Sequence, residues 1–442
     1  MISSTPEWIA RSVSRLRTAA PAADKAGDKL AKAALDKTVT DVVAKVAVPR
    51  STHERLQATL RRGQEALSPR ALRRLLADLQ EVVAPQVSEI EGGRRAQVVA
   101  EWYAKAEPEE RRDMWLLMCE QFAPDATRFK SARQRYEAAA GTAEEGQAEI
   151  SLRRALVSPR TRLLQRFSAF PEGMRFLVDL RAEILPLLKA DNRLLPLDAE
   201  LEHLFSTWFD VAFLELRRLS WDSPASLLEK LIKYEAVHDI RSWADLKNRL
   251  DSDRRCYGFF HPRLPNEPLI FVEVALLDKI SSSITPLLDE AAAPVDITRA
   301  TTAIFYSISN TQTGLRGVSF GDSLIKHVVE TLTAEFPRLR TFATLSPIPG
   351  FRAWLGKHAG AMLDRLDDKR RSELGRAVGF EPPQATHFLG ALDKALELDA
   401  KSPVRQMLLE CAAYYLGREL QEGKPADPVA RFHLGNGARV ER

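Results

Sequence analysis

The chain has 442 residues, of which 45% are hydrophobic and 28% are charged. This length and composition predict a folded protein of two or three domains rather than a disordered or fibrous chain. The net charge is only +4, with basic and acidic residues interspersed, which argues against a dedicated nucleic-acid-binding protein and is compatible with an anionic small ligand.

The cysteine content and the hydropathy further narrow the cellular compartment and the class of protein. The three cysteines, Cys119, Cys256 and Cys411, lie far apart, a pattern that fits neither a disulfide framework nor a zinc site and favours a reducing compartment. No apolar run approaches the roughly 18 residues of a membrane span. Residues 1–20 faintly resemble a transit peptide but lack a clean amphipathic period, so we expect the N-terminus of a cytoplasmic protein.

Residues 1–200 are predicted to form an all-helical domain. Apolar residues recur at helical spacing, and the Ser68-Pro69 and Ser158-Pro159 pairs each supply an N-cap followed by proline at the first helical position. The pattern is typical of a helical bundle with charged outer faces.

Residues 201–442 change to a mixed pattern of strands and helices. Helices are predicted at 225–235, 242–250, 322–336, 365–378, 385–398 and 403–421, and strands at 254–261, 269–276, 302–309, 339–345 and 429–434. The run at 269–276 is almost continuously apolar, as expected for a central strand covered on both faces. This half is therefore predicted to be α/β or α+β around a mixed sheet. The aromatic residues at 208–221, placed on one helix and its end, are predicted to join the core with Trp115 and Trp354.

A glycine-containing loop at 314–321 joins the strand at 302–309 to the following helix. Glycine permits close backbone approach, and a helix N-terminus offers free N–H groups to an anion. Arg316 can add a charge-assisted contact to phosphate. The order of strand, glycine loop and helix resembles the pyrophosphate loop of acetyl-CoA-dependent N-acetyltransferases. The spacing of Gly314, Gly317 and Ser319 matches the glycine pattern of that loop only loosely. The alternative is a plain turn between a strand and a helix.

Two further residues are candidates for catalysis. Ser346 precedes Pro-x-Pro-Gly, and proline restricts the backbone on such a turn. His433 is predicted at the end of the last strand, where it can donate a proton near neutral pH. The alternatives are a turn-capping serine and a structural histidine, with His261 as the main competitor and His238 as a structural residue.

Ser307 and Ser309 lie within an otherwise apolar strand. Buried hydroxyl groups need hydrogen-bond partners. The two serines are therefore predicted either to face a ligand or to bond to the backbone, with Tyr306 on the opposite face.

Six segments together closely resemble the malonyl-CoA decarboxylase family. They read RCYGFFHP at 255–262, NEPL at 266–269, AIFYSIS at 303–309, TQTGLRGV at 311–318, LSPIPGF at 345–351 and DPVARFHLGNGA at 427–438. The resemblance is detailed from about residue 201 to the C-terminus, and it extends to the first half in helical character and length.

The resemblance implies an α+β protein: a self-associating helical domain at 1–200, then a catalytic domain like the N-acetyltransferase fold at 201–442. It implies Ser346 and His433 as the catalytic pair, with Ser307 lining the active site. The loop is implied to bind the CoA thioester. The predicted binding residues are Ser307, Gly314, Arg316, Gly317, Val318, Ser319, Phe320, Gly321 and Asp322.

Two departures from the family pattern bear on these expectations. Ser319 stands where animal members carry a glutamate, so a role of that carboxylate does not carry over and the loop is expected to bind through its backbone and Arg316. The chain ends at Arg442, a few residues after His433, whereas other members are expected to continue with a further segment.

The expected reaction is decarboxylation of malonyl-CoA to acetyl-CoA and CO₂ by a homo-oligomeric cytoplasmic lyase, a dimer or tetramer, in fatty acid metabolism. Ser346 would orient the substrate carboxylate or His433, and His433 would protonate the enolate carbon. No cofactor, metal, nucleic acid or membrane is expected to take part. The alternatives are a CoA-dependent acyltransferase and a non-catalytic sensor of malonyl-CoA.

Overall fold

A computed structural model of the protein describes residues 50–63, 65–318, 323–392, 398–399 and 401–441. The predicted N-terminal segment at 1–20 lies outside these residues. Two compact units are distinguished: residues up to 77 together with 106–117, and residues 78–105 together with 118–442. The predicted domain boundary at residue 200 stays a prediction. Among the described residues, no helix is both long and apolar enough to cross a membrane.

The described chain is helical up to residue 208, as the sequence predicts. The helices are α1 Thr52–Gln57, α2 Pro69–Val82, α3 Glu89–Lys105, α4 Pro108–Gln121, α5 Ala126–Ala139, α6 Glu145–Leu156, α7 Pro159–Ser168, α8 Gly173–Ile184 and α9 Leu195–Trp208. Both Ser-Pro signals are confirmed, because the Ser68 hydroxyl accepts from the Ala71 N–H at 3.2 Å and that of Ser158 from the Thr161 N–H at 3.4 Å.

The first unit contains a buried ion pair between Arg55 and Asp113. The Arg55 guanidinium donates to both carboxylate oxygens of Asp113, with a distance of 2.6 Å from Nη2 to Oδ2. The Leu67 N–H donates to the same carboxylate at 3.1 Å. Because a buried charge without a partner is costly, removing either member should destabilise this unit.

A mixed sheet follows the helices. Its strands are β1 Glu215–Leu219, β2 Arg254–His261, β3 Leu264–Leu277, β4 Thr302–Asn310 and β5 Thr341–Thr344. They are ordered β1-β2-β3-β4-β5, antiparallel except for the parallel β4–β5 pair. The mixed α+β prediction is confirmed, and residues 269–276 are buried along their whole length.

The aromatic segment at 208–221 was predicted wrongly in part. Trp208 ends α9, and a short 3-10 helix at Val211–Phe213 and then strand β1 follow it instead of more α-helix. Phe209 is buried, whereas Phe213 and Trp221 are 58% and 43% exposed and lie outside the core. Trp115 and Trp354 are buried as predicted.

The helices of the second half mostly match the prediction. They are α10 Ala225–Tyr234, α11 Trp243–Arg249, α12 Ser323–Glu335, α13 Phe351–Leu363, α14 Asp368–Val378, α15 Ala385–Ala391, α16 Pro403–Arg418 and α17 Pro428–Gly435, with a short hairpin of β6 Leu420–Gln421 and β7 Lys424–Pro425. The sequence pattern missed α13. The helix predicted at 403–421 ends at Arg418, because the β6–β7 hairpin follows, with Glu422 and Gly423 at positive φ in its turn.

The strand predicted at 429–434 is wrong, because these residues belong to helix α17. Asp427 is its N-cap and Pro428 is its first residue. This is the same start signal that Ser68-Pro69 carries, and it outweighs the short alternating apolar pattern. His433 therefore lies on a helix and not at the end of a strand.

Candidate active site

The site begins where the parallel pair β4–β5 stops. In the β3–β4 ladder Glu273 pairs with Ser307 and Val274 with Phe305, so Tyr306 is an extra residue and forms a β-bulge. On the other edge, the last bond runs from the Leu345 N–H to the Phe305 carbonyl at 2.9 Å. The residues that follow on both strands line a cavity of about 400 Å³.

The cavity has an apolar wall with a few polar groups. Its polar lining comes from Tyr306, Ser307, Asn310, Ser346 and His433. Its apolar lining includes Val237, Ile270, Phe305, Val318, Leu324, Leu345, Val429 and Phe432. Such a cavity suits an elongated, largely uncharged chain with a reactive polar end.

Ser346 and His433 meet in this cavity although they are 87 residues apart in the chain. The Ser346 Oγ lies 2.8 Å from the His433 Nε2. Ser346 is exposed on the extended segment after β5, and His433 is half-buried on α17. Burial lowers the pKa of His433 below its ordinary value of 6.5, so the neutral imidazole dominates at pH 7 in the ligand-free protein.

Ser307 is held by a buried carboxylate that the sequence pattern did not reveal. Its hydroxyl lies 2.8 Å from each carboxylate oxygen of Glu235. Glu235 also accepts from the N–H groups of Val237 at 2.9 Å and His238 at 2.8 Å. Glu235 thus fixes the orientation of the Ser307 hydroxyl, which also lies 3.2 Å from the Ser309 Oγ.

Ser309, two residues further along β4, bonds to the same carboxylate. Its hydroxyl donates to Glu235 at 3.1 Å and accepts from the Ala236 N–H at 3.2 Å. Both serines thus bond to the segment after α10. The sequence signal, two serines in an apolar strand, indicated buried partners without identifying Glu235.

A second buried acid lies beside Ser307 in the sheet. Burial, and then the charge of Glu235, raise the pKa of Glu273 to about 8 although Arg249 opposes the shift. Arg249 donates to Glu273 at 3.2 Å and to Asp245 at 2.8 Å. The site therefore rests on a buried network with more carboxyl groups than cations.

The glycine loop is attached to helix α8. Gly314 is buried, and a Cβ there would lie 1.9 Å from the Val178 carbonyl oxygen, so close packing accounts for this glycine. Arg181 donates to the carbonyls of Gly314 at 2.9 Å and Arg316 at 2.8 Å. The side chain of Arg316 is exposed.

The remaining loop residues divide between the cavity and the surface. Val318 lines the cavity, whereas Gly317 is exposed with φ at 84°. Ser319, Phe320, Gly321 and Asp322 lie outside the described residues. Of the predicted site residues, the structure brings Ser307, Val318, Ser346 and His433 together around one cavity.

The competing histidine His261 has a structural environment. It is buried, its ring centroid lies 5.1 Å from that of Phe209, and its Nδ1 accepts from the Arg263 N–H at 3.1 Å. His238 donates its backbone N–H to Glu235. His433 is the histidine that lines the cavity with Ser346.

The fold places this protein in the class of α+β proteins in which a helical region precedes a mixed sheet. Its serine–histidine pair lies in a cavity beside the parallel strands β4 and β5. The sequence profile of the malonyl-CoA decarboxylase C-terminal domain matches residues 212–442, and that of the N-terminal domain matches residues 122–209. The chain belongs to the malonyl-CoA decarboxylase family.

Named relatives agree with the family profiles. Two proteins named mitochondrial malonyl-CoA decarboxylase, from Anser anser anser and Mus musculus, are each 38% identical to this chain. The matches cover 65% and 67% of this chain, and 60% and 63% of the relatives. The chain thus spans less than two thirds of the length of these relatives.

Solved structures match over a larger share. The crystal structure of malonyl-CoA decarboxylase from Rhodopseudomonas palustris is 40% identical with a TM-score of 0.70, over 84% of this chain and 86% of that chain. The one from Cupriavidus metallidurans is 44% identical with a TM-score of 0.63, over 84% and 87%. The family expected from the sequence motifs and the expected order of a helical region followed by a mixed sheet are confirmed.

Proposed function

We propose that this chain converts malonyl-CoA to acetyl-CoA and CO₂. The observation that carries the proposal is the 2.8 Å contact between the Ser346 Oγ and the His433 Nε2 in the cavity beside β4. Membership of the malonyl-CoA decarboxylase family supports the choice of substrate.

The chemistry requires an electron sink and a proton donor. As the bond between C2 and the carboxylate breaks, CO₂ leaves and the electron pair passes into the thioester carbonyl, giving an enolate. C2 then takes a proton, and the enzyme recovers one from solvent. Because the thioester itself accepts the electrons, we propose that the reaction needs no cofactor or metal.

His433 is the proposed proton donor to C2, and Ser346 orients the substrate carboxylate or the imidazole. A bound anion beside His433 favours the imidazolium form, which offsets the effect of burial on its pKa. Donors aimed at the enolate oxygen are each worth about 3–4 kcal/mol in comparable sites.

The CoA part of the substrate is proposed to bind along the loop and the strand before it. The supporting observations are the cavity lining by Ser307 and Val318 and the exposure of Arg316 and Gly317. Gly314 and residues 319–322 complete the proposed binding set. The sheet, loop and helix order supports an N-acetyltransferase-like catalytic domain.

The test is an assay of CO₂ release from malonyl-CoA without any acyl acceptor. Wild-type protein should release CO₂ and acetyl-CoA in equal amounts. His433→Asn should abolish turnover while malonyl-CoA affinity stays within about tenfold, or roughly 1.4 kcal/mol. Normal turnover in that variant would exclude His433 as the proton donor.

The same assay separates the two alternatives. Product formation only when an amine acceptor is added would identify an acyltransferase. Saturable malonyl-CoA binding without turnover would identify a sensor.

Residues 1–200 are proposed to mediate self-association into a dimer or tetramer, and the cytoplasm is the proposed location. The named animal relatives are mitochondrial, so location is to be tested separately by fractionation. Light scattering of the purified chain measures its oligomeric state, and a monomer would contradict the proposal.

A further inference from the structure

Asp427 joins the two segments that carry Ser346 and His433. Its side chain is 1% exposed. The Oδ1 atom accepts from the N–H groups of Val429 and Ala430, each at 3.0 Å. These bonds fix the first turn of α17, and His433 follows one turn later.

The other carboxylate oxygen reaches the serine segment. The Oδ2 atom accepts from the Gly350 N–H at 3.3 Å, and the Tyr415 hydroxyl lies 3.5 Å away. A Cβ at Gly350 would lie 2.2 Å from that hydroxyl, so the close approach requires glycine at this position.

The segment from Ser346 to Gly350 is stiff, because Pro347 and Pro349 fix two of its φ angles. Anchoring Gly350 therefore limits where Ser346 can lie. Since one carboxylate anchors this segment and the start of α17, it sets the distance between Ser346 and His433.

We propose that Asp427 is a positioning residue for the Ser346–His433 pair, an inference that rests on the proposed decarboxylase function. Catalytic groups displaced by about 1 Å can lose about a hundredfold in rate. Loss of the bond to Gly350 should thus lower kcat more than it changes KM.

The decisive variant is Asp427→Asn. With its carbonyl oxygen toward α17, the asparagine retains the N-cap but presents an NH₂ group to the Gly350 N–H. We expect kcat to fall about tenfold to a hundredfold, with KM within about threefold. The matched control is Asp367→Asn at the N-cap of α14, where the Asp367 carboxylate accepts from the Arg370 N–H at 2.8 Å.

The control separates positioning from capping. Asp367→Asn should leave kcat unchanged and shift the melting temperature by no more than Asp427→Asn. Unchanged kcat in Asp427→Asn would overturn the proposal.

A second measurement does not depend on turnover. The imidazole pKa of His433, followed by NMR, should rise toward 6.5 in Asp427→Asn, because a looser contact exposes the ring, and stay unchanged in Asp367→Asn. If wild-type protein releases no CO₂ but this shift occurs, the proposed function fails while the positioning role holds. An unchanged pKa in both variants contradicts the positioning role.

Discussion

At the scale of single residues, the site combines a half-buried histidine with a serine hydroxyl and a buried carboxylate. Ser346 meets His433 directly, and Ser307 is oriented by Glu235. Sequence motifs were sufficient to nominate Ser346, His433 and Ser307. Glu235 was not predicted as a site residue, because the sequence around a single glutamate at a helix end does not show that a distant strand buries it.

The pH dependence of kcat/KM tests the role of His433. Burial lowers its pKa in the free protein below 6.5. An acid must be protonated to act, so kcat/KM should fall as pH rises through that lowered pKa. Steady-state assays between pH 5 and 8 measure the profile. A rise with pH over this window would indicate a base instead.

Ser307→Ala tests the contribution of the Ser307 hydroxyl to the cavity wall. Losing one hydrogen bond of about 1 kcal/mol should lower kcat/KM about fivefold to tenfold. Ser309→Ala is the control, because Ser309 also donates to Glu235 but is not among the residues lining the cavity. Equal losses in the two variants would assign the effect to Glu235 and not to the cavity wall.

At the scale of elements, α17 and the glycine loop are the segments that sequence patterns described least well. Four apolar or small residues at 429–434 suggested a strand, but the Asp-Pro start signal and the Asp427 N-cap produce a helix instead. In the loop, the expected ligand role of Gly314 competes with its packing on Val178. A glycine in a sequence pattern does not show whether a ligand or a neighbouring helix requires it.

Gly314→Ala measures that packing. A Cβ at 1.9 Å from the Val178 carbonyl oxygen forces the loop away from α8, and overpacking of this kind costs about 1–3 kcal/mol. Gly356→Ala on α13 is the control, since a Cβ there meets nothing within 4 Å, and it should stabilise by about 1 kcal/mol. Chemical denaturation gives both values. No loss of stability in Gly314→Ala would contradict the packing explanation.

At the scale of the whole molecule, the buried acid network couples stability to pH. Glu273 has a pKa of about 8 in the folded protein, well above its ordinary value of 4.5. The folded state therefore binds this proton more tightly than the unfolded state. Stability from this group is present below pH 4.5 and is lost as pH rises to about 8.

Glu273→Gln should remove this slope. Glutamine does not ionise, so the free energy of unfolding of the variant, relative to wild type, should rise between pH 5 and 8. Urea denaturation at several pH values measures the difference. Glu229→Gln, at an exposed position on α10, is the control and should parallel wild type. If the free energy of unfolding of Glu273→Gln follows that of wild type at every pH, Glu273 is not protonated in the folded protein.

Periodicity, helix caps and short motifs are local signals, so the helical first half, the mixed sheet and the family could be predicted from the sequence. The motifs also pointed to Ser346 and His433. The folded structure was needed to show that their atoms lie 2.8 Å apart, that Asp427 bonds to both of their segments and that Glu235 faces Ser307. These contacts join residues far apart in the chain, and burial, not local pattern, decides which polar groups must pair.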